Sequence, residues 1–266
     1  MPPDPRTAAG TAVVEEFRRV SQPPYEAPMV VAINGALMTI LWFLLPPDLV
    51  NLVFSEHRPY AYAAVLVAWM VADVPATNVL GSTPDLALSC LDDPVALRRQ
   101  LWAKDVVLWA LVCPLGAIIA FSGGLGHRNP ASLAVTVISI LILPFGALSA
   151  ADWVGVLWPY RPRPLRERWE QRHQPRQLLR WITLVLLPYG WVPLVLSFEL
   201  TPMLLIWRIG AHGWDAPPST ANLLLGSAAG WLFAALCYYL GRLITNRMVA
   251  SRRERLRVDL ANPAFG

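Results

Sequence analysis

The sequence predicts an all-α, polytopic integral membrane protein of six transmembrane helices. An amphipathic N-terminal helix and a second cytoplasmic helix, between spans two and three, complete the architecture. Three observations predict it. First, the chain is 55% hydrophobic with a mean hydropathy of +0.43. Its apolar residues gather in six blocks, roughly 27–46, 61–80, 105–123, 131–157, 181–200 and 219–241. A bilayer core of about 30 Å needs about 20 such residues. Second, nineteen of the 22 Lys/Arg fall in the alternate gaps 1–26, 81–104, 158–180 and 242–266, while the other gaps hold only Arg58, Arg128 and Arg208. Basic residues near span ends stay cytoplasmic, so both termini are expected inside the cell's inner (cytoplasmic) membrane. Third, no gap reaches the size of a self-folding module, which leaves no room for a soluble catalytic domain.

The chain therefore divides into a cytoplasmic tail with an amphipathic helix (1–26), a six-span domain (27–245) and a basic cytoplasmic tail (246–266). The first 26 residues lack a signal-peptide core, so the first span is expected to be a permanent anchor. A net charge of +4 points to a lipid surface, where these arginines would sit, and not to nucleic acid. Cys90, Cys113 and Cys237 show no metal or redox spacing and read as small apolar residues.

In the N-terminal segment Val13, Val14, Phe17 and Val20 share one helical face, with Glu15, Glu16, Arg18 and Arg19 opposite. That pattern predicts a helix lying on the inner membrane surface. The Glu15-Glu16 pair is similar to the EExxxR motif of intramembrane prenyl-endopeptidases, but Val20 stands where that motif needs arginine. Prolines 75, 114, 144, 188 and 193 lie inside four of the spans, where each removes a backbone hydrogen bond. Trp102, Trp153, Trp158 and Trp181 at inner span ends, and Trp207 and Trp214 at outer ones, are expected to form interfacial belts. The segment 201–218 is too broken by Pro and Gly for a full span and is expected to be a short re-entrant or interfacial hairpin.

Residues 91–105, LDDPVALRRQLWAKD, form the most specific local segment. Asp93 suits an N-cap and Pro94 the first helical position, so a helix is expected to run from there into span three. Leu97 and Leu101 share a face with Leu108; Arg98, Arg99 and Lys104 are expected on the other, in water or on phosphate headgroups. Asn78 and Gly81 mark the exit of span two, and Trp158-Pro159 ends span four.

The order Asn78-x-x-Gly81, Asp93-Pro94-Val95, Arg98-Arg99, Leu101, Lys104 and Trp158-Pro159-Tyr160 resembles a type-2 ABC exporter permease subunit of the six-span, actinobacterial kind. Where such permeases often read Gly-Asn-x-x-Ser, this chain has Ala151-Asp152-Trp153-Val154-Gly155. The resemblance implies a dimer with a second copy or sister permease subunit, driven by a separate ATP-binding-cassette ATPase that holds the ATP. It also implies an N-terminal connecting helix at 11–20, a coupling helix at 91–104 and re-entrant helices at 201–218. Leu97, Arg98, Arg99, Leu101 and Trp102 are then the candidate ATPase-coupling residues.

The chain itself has no Walker loop, and Lys104, its only lysine, lacks a glycine-rich approach. No catalytic, cofactor-binding or metal residue is assigned. Few ionisable groups lie in or near the spans, and those that do tend to face a bundle interior. Asp73, well inside span two, reads equally as a pathway residue or as a structural hydrogen bond to another helix or subunit. Asp105 and Asp152 are placed at the inner boundary and Glu199 at the outer mouth. Asp73, Asp152 and Glu199 are the candidate pathway residues. His57, His127 and His212, one per outer loop, could bind zinc only if those loops converge. No histidine lies in a span, which excludes an intramembrane serine protease. Against the exporter reading stands a non-transporting six-span scaffold or assembly protein.

Overall fold

The computed structural model describes residues 5–23, 25–46, 58–72, 74–124, 130–160, 173, 175–210 and 219–262. Among them all regular structure is helical. In chain order the helices are α1 (Pro5–Val20), α2 (Glu26–Leu44), α3 (Arg58–Val71), α4 (Val74–Thr77), α5 (Pro84–Cys90), α6 (Pro94–Gly124), α7 (Pro130–Leu157), α8 (Pro175–Gly210) and α9 (Thr220–Ala261). Five of them, α2 and α6 to α9, are long and apolar enough to cross a membrane. Their outward faces carry large apolar side chains such as Ile33, Leu37, Ile118, Leu186, Leu204 and Leu232. That surface suits lipid tails.

The block 61–80 departs from expectation, because it does not form one helix. α3 has 14 residues, and the four-residue α4 follows it. Pro75 explains the break: it has no N–H to offer the carbonyl of Val71, and it disfavours helical geometry at the residue before it. Inside α6, α7 and α8 the helices instead continue across Pro114, Pro144, Pro188, Pro193 and Pro202. α8 therefore runs through to Gly210, where a break near residue 201 was expected. Met203 is buried, and Trp207 Nε1 donates to the Leu223 carbonyl of α9 (3.1 Å), so packing on α9 overrides the local proline signal. Residues 211–218 lie outside the described residues.

Two apolar cores are stacked along the bundle. The span core joins Val31 and Met38 of α2, Leu66 and Val67 of α3, Val112 of α6 and Leu148 of α7. The end core joins Val79 and Leu80 to Leu97 and Leu101 of α6, Val156 of α7, and Val249, Leu256 and Leu260 of α9. The basic residues past 245 continue α9 as its last four turns, which pack on α5 and α6. Buried apolar residues at 249, 256 and 260, spaced by whole turns, explain why this segment stays helical and docked. Arg253 and Arg257 pair with Asp92 across that contact.

Tryptophans brace the bundle. Trp109 Nε1 donates to the Leu141 carbonyl (2.7 Å), Trp191 Nε1 to that of Ala150 (3.1 Å) and Trp231 Nε1 to Ser139 Oγ (3.0 Å). Trp153 donates across to the Gly241 carbonyl (3.2 Å), so Trp153 and Trp207 serve as interhelical struts. Trp158 and Trp102 remain exposed, as a belt requires. An interhelical hydrogen bond of this kind contributes about 0.6 kcal/mol in lipid.

The Asn78–Gly81 turn closes on the end of α7. Asn78 Nδ2 donates to the Tyr160 carbonyl (2.9 Å), and Tyr160 N–H donates back to Asn78 Oδ1 (3.3 Å). A Cβ on Gly81 would lie 2.1 Å from the Tyr160 carbonyl oxygen, a backbone atom that no rotamer change can move. Gly81→Ala is therefore expected to cost roughly 1–3 kcal/mol of stability by overpacking. Gly10→Ala, with nothing within 4 Å, should be neutral or slightly stabilising. Thermal midpoints in detergent check the pair; equal midpoints would contradict the close approach.

Candidate functional site: a buried charge cluster between two cores

Three long helices meet at one guanidinium. Arg242 of α9 pairs with Asp105 of α6 and, at 2.5 Å, with Asp152 of α7. The carboxylates are almost wholly buried, and Arg242 side-chain exposure is 12%. The Tyr238 ring, one turn back on α9, lies 5.3 Å from the guanidinium carbon and shields its other side. Phe145 packs edge-on against Tyr238 and stacks on Trp109. Close helix approach makes the cluster possible: a Cβ on Gly241 would lie 2.3 Å from Ser149 Oγ. One carboxylate oxygen, Asp152 Oδ1, has no partner among the described residues. The cluster thus holds two acids and one fixed base in a dry setting.

Asp105 and Asp152, expected as interfacial residues, are instead interior. Removing only the arginine would leave two buried like charges without compensation, and breaking a buried pair typically costs 3–5 kcal/mol. In the sequence Arg242 counts only among the basic residues of the gap 242–266, which does not show its role. Available signals were its position one residue past the sixth apolar block, Tyr238 one turn earlier, and two acids at the same depth in other spans.

Lys104, next to Asp105, is also buried, contrary to the headgroup position expected for it. Its Nζ donates to the Val79 carbonyl, to Ser82 Oγ (2.8 Å) and to Thr83 Oγ1 (2.8 Å). An ammonium has three donors, and here three oxygens from the α4–α5 connection take them. α1 lies over this region with Glu16 turned inward, where it pairs with Arg19, while Val14 and Phe17 are exposed. α1 is helical, as expected, but its charged residues 16 and 19 face the bundle.

The 91–104 segment forms the N-terminal turns of α6. Asp93 Oδ1 accepts from Val95 N–H (2.8 Å) and Ala96 N–H (3.1 Å), the expected N-cap. The Ala96 and Val95 amides, then the Arg99 and Arg98 charges, hold the Asp93 carboxyl below its ordinary range. Of the five candidate coupling residues, Leu97 and Leu101 are sealed in the end core. Arg98 and Trp102 are exposed and Arg99 is half-buried.

Glu199 is not at an outer mouth. It is fully buried on α8 against Gly146 of α7, where an added Cβ would sit 2.1 Å from its Oε1. Neither carboxyl oxygen has a hydrogen-bond partner among the described residues. Asp73, His57, His127 and His212 lie outside the described residues, and among those described no group of three or more His, Cys, Asp or Glu could hold a metal. The three cysteines are free. No family model, curated protein or solved structure matches the chain.

A buried polar side chain without a partner costs about 1–3 kcal/mol. Glu199→Leu, similar in volume, is therefore expected to raise stability by about that amount, seen as a higher unfolding midpoint in detergent. A lower midpoint would mean that Glu199 has a stabilising partner.

Proposed function

We propose that this chain is the membrane subunit of an ABC-type exporter, forming half of a translocation pathway driven by a separate ATPase. The observation that supports it most is the construction of one end of the bundle. α5, the first turns of α6 and the last turns of α9 share one apolar core, the end core, beyond the buried charges. The four arginine-rich gaps contribute to this end, which the positive-inside bias places in the cytoplasm. Such an end is a rigid platform. Rigid helices that continue from it through the bilayer could carry a partner's movement into the spans.

In this reading α3 and α4 together make the sixth crossing. At 1.5 Å per residue α3 spans about 21 Å, short of a 30 Å core, and residues 74–80 would complete it. α1 serves as the connecting helix and residues 91–104 as the coupling helix. The ATPase would meet Arg98, Arg99 and Trp102, because Leu97 and Leu101 are turned inward. A second copy or a sister permease would supply the other half of the pathway.

The test compares the wild type with a paired Arg98→Glu, Arg99→Glu variant at equal expression. Arg98 is exposed and Arg99 half-buried at the start of α6, and the neighbouring gaps keep many arginines, so insertion should be unchanged. Reversing two rim charges should weaken ATPase retention roughly tenfold, or about 1.4 kcal/mol, and lower ATP-dependent export in parallel. Unchanged retention and export would reject the coupling role and favour lipid anchoring by these arginines.

A further inference from the structure

A cavity of about 330 Å³ lies where α1 turns into α2, between that corner, the α4–α5 connection and α6. Its wall is graded. Near the end core it carries Glu16, Arg19, Ser82, Thr83 and Lys104, and beside the α1–α2 corner Glu26. Deeper in the bundle it carries Val30, Val107, Leu108 and Leu111. The gradient is built into α6: Val107, Leu108 and Leu111 follow Lys104 by three, four and seven residues. They share its face and rise about 10 Å toward the span core. The corner at the mouth is held by Tyr25 with φ 55°, a left-handed conformation that costs a non-glycine residue energy and is kept only when its surroundings fix it.

The charges on this wall are specific. Glu16 and Arg19 pair with each other. Lys104 is bonded only to neutral oxygens, with no carboxylate in ion-pair reach among the described residues. The exposed Glu26 likewise has no ion pair there. One buried cation and one exposed anion are thus left over, next to an apolar channel. A purely anionic head would gain Lys104 but face Glu16 and Glu26; a zwitterion satisfies both ends.

We infer that this cavity binds a membrane phospholipid with a zwitterionic primary-amine head, of the phosphoethanolamine type. The phosphate accepts from the Ser82 and Thr83 hydroxyls, whose lone pairs take two of Lys104's protons, with the Lys104 charge directly behind them. The ammonium reaches Glu26, to which a primary amine can donate hydrogen bonds and a quaternary choline cannot. One acyl chain follows Val107, Leu108 and Leu111 toward the bilayer interior. The inference does not depend on transport, because the site lies within one chain and its test needs no ATPase.

The full chain in neutral detergent is titrated with phosphatidylethanolamine, phosphatidylglycerol and phosphatidylcholine of identical tails, and bound lipid is counted by native mass spectrometry. One saturable phosphatidylethanolamine site is expected, with the other two lipids at least fivefold weaker. Lys104→Gln should weaken that site at least tenfold. Glu26→Gln, an exposed change that leaves the fold intact, should bring phosphatidylethanolamine and phosphatidylglycerol to near-equal binding. It decides the matter even if the lysine variant unfolds. Free phosphoethanolamine, lacking tails, should not displace the lipid. Equal binding of all three lipids, preference for phosphatidylglycerol, displacement by the free head, or unchanged selectivity in Glu26→Gln would each overturn the assignment.

Discussion

The guanidinium of Arg242, set between the carboxylates of Asp105 and Asp152, is the interaction on which this bundle depends. It is the one buried link among the described residues that ties α6, α7 and α9 by charge. On α6 and α7 it also marks the level at which the helix leaves one core for the other. On α6 the change runs from Leu101 in the end core, past Lys104 and Asp105, to Leu108 in the span core. On α7 it runs from Ala151 to Val156 with Asp152 between. Between Ala76 and Val79 lie the buried Thr77 and Asn78. A polar layer between two apolar ones penalises axial sliding, since a slip of one turn would bury unpaired charge in hydrocarbon. Buried pairs are weak sources of net stability, but they can specify register, and we assign that role here.

From this layer the helices act as levers. α9 has 42 residues, about 63 Å at 1.5 Å per residue, roughly twice the hydrocarbon thickness. Its far turns belong to the end core, while its membrane turns pack on α7 and α8 through Gly226, Gly230 and Gly241. In the proposed exporter a force on that end would reach the spans through the Arg242 cluster, and beyond it stands Glu199 against Gly146. An unpartnered carboxyl there is a local instability, and among the described residues it is the one buried side chain that leaves two polar atoms without a hydrogen bond. Functional sites are where such instability is tolerated, and under the proposed exporter reading Glu199 stays the pathway candidate among the described residues.

Much of this was legible in the sequence, because hydropathy and the placement of arginines act over twenty-residue blocks. Five spans, the Asp93 cap and the continuity of residues 94–124 follow from local patterns. What escaped depends on contacts between distant segments. Arg242 and Lys104 look like ordinary inner-leaflet cations until three helices and a connecting turn surround them. Glu16 shares the polar face of α1, and only docking on the bundle shows that it turns inward while Glu15 and Arg18 stay exposed. Residues 249, 256 and 260 carried a readable apolar spacing, obscured by the arginines between them. The α3–α4 break could have been read from Pro75, which cannot donate to the Val71 carbonyl. Trp153 and Trp207 sit where a belt would place them, yet their N–H groups have carbonyl partners on α9.

The most direct test of the register role is the unfolding free energy of three proteins in bilayer-like micelles: wild type, Arg242→Met, and Arg242→Met combined with Asp105→Asn and Asp152→Asn. With Arg242 as the link between α6, α7 and α9, the single change should lose about 3–5 kcal/mol. The triple variant, which leaves no buried charge at the cluster, should recover most of that loss. A single variant as stable as wild type, or a triple variant no better than the single, would contradict the claim.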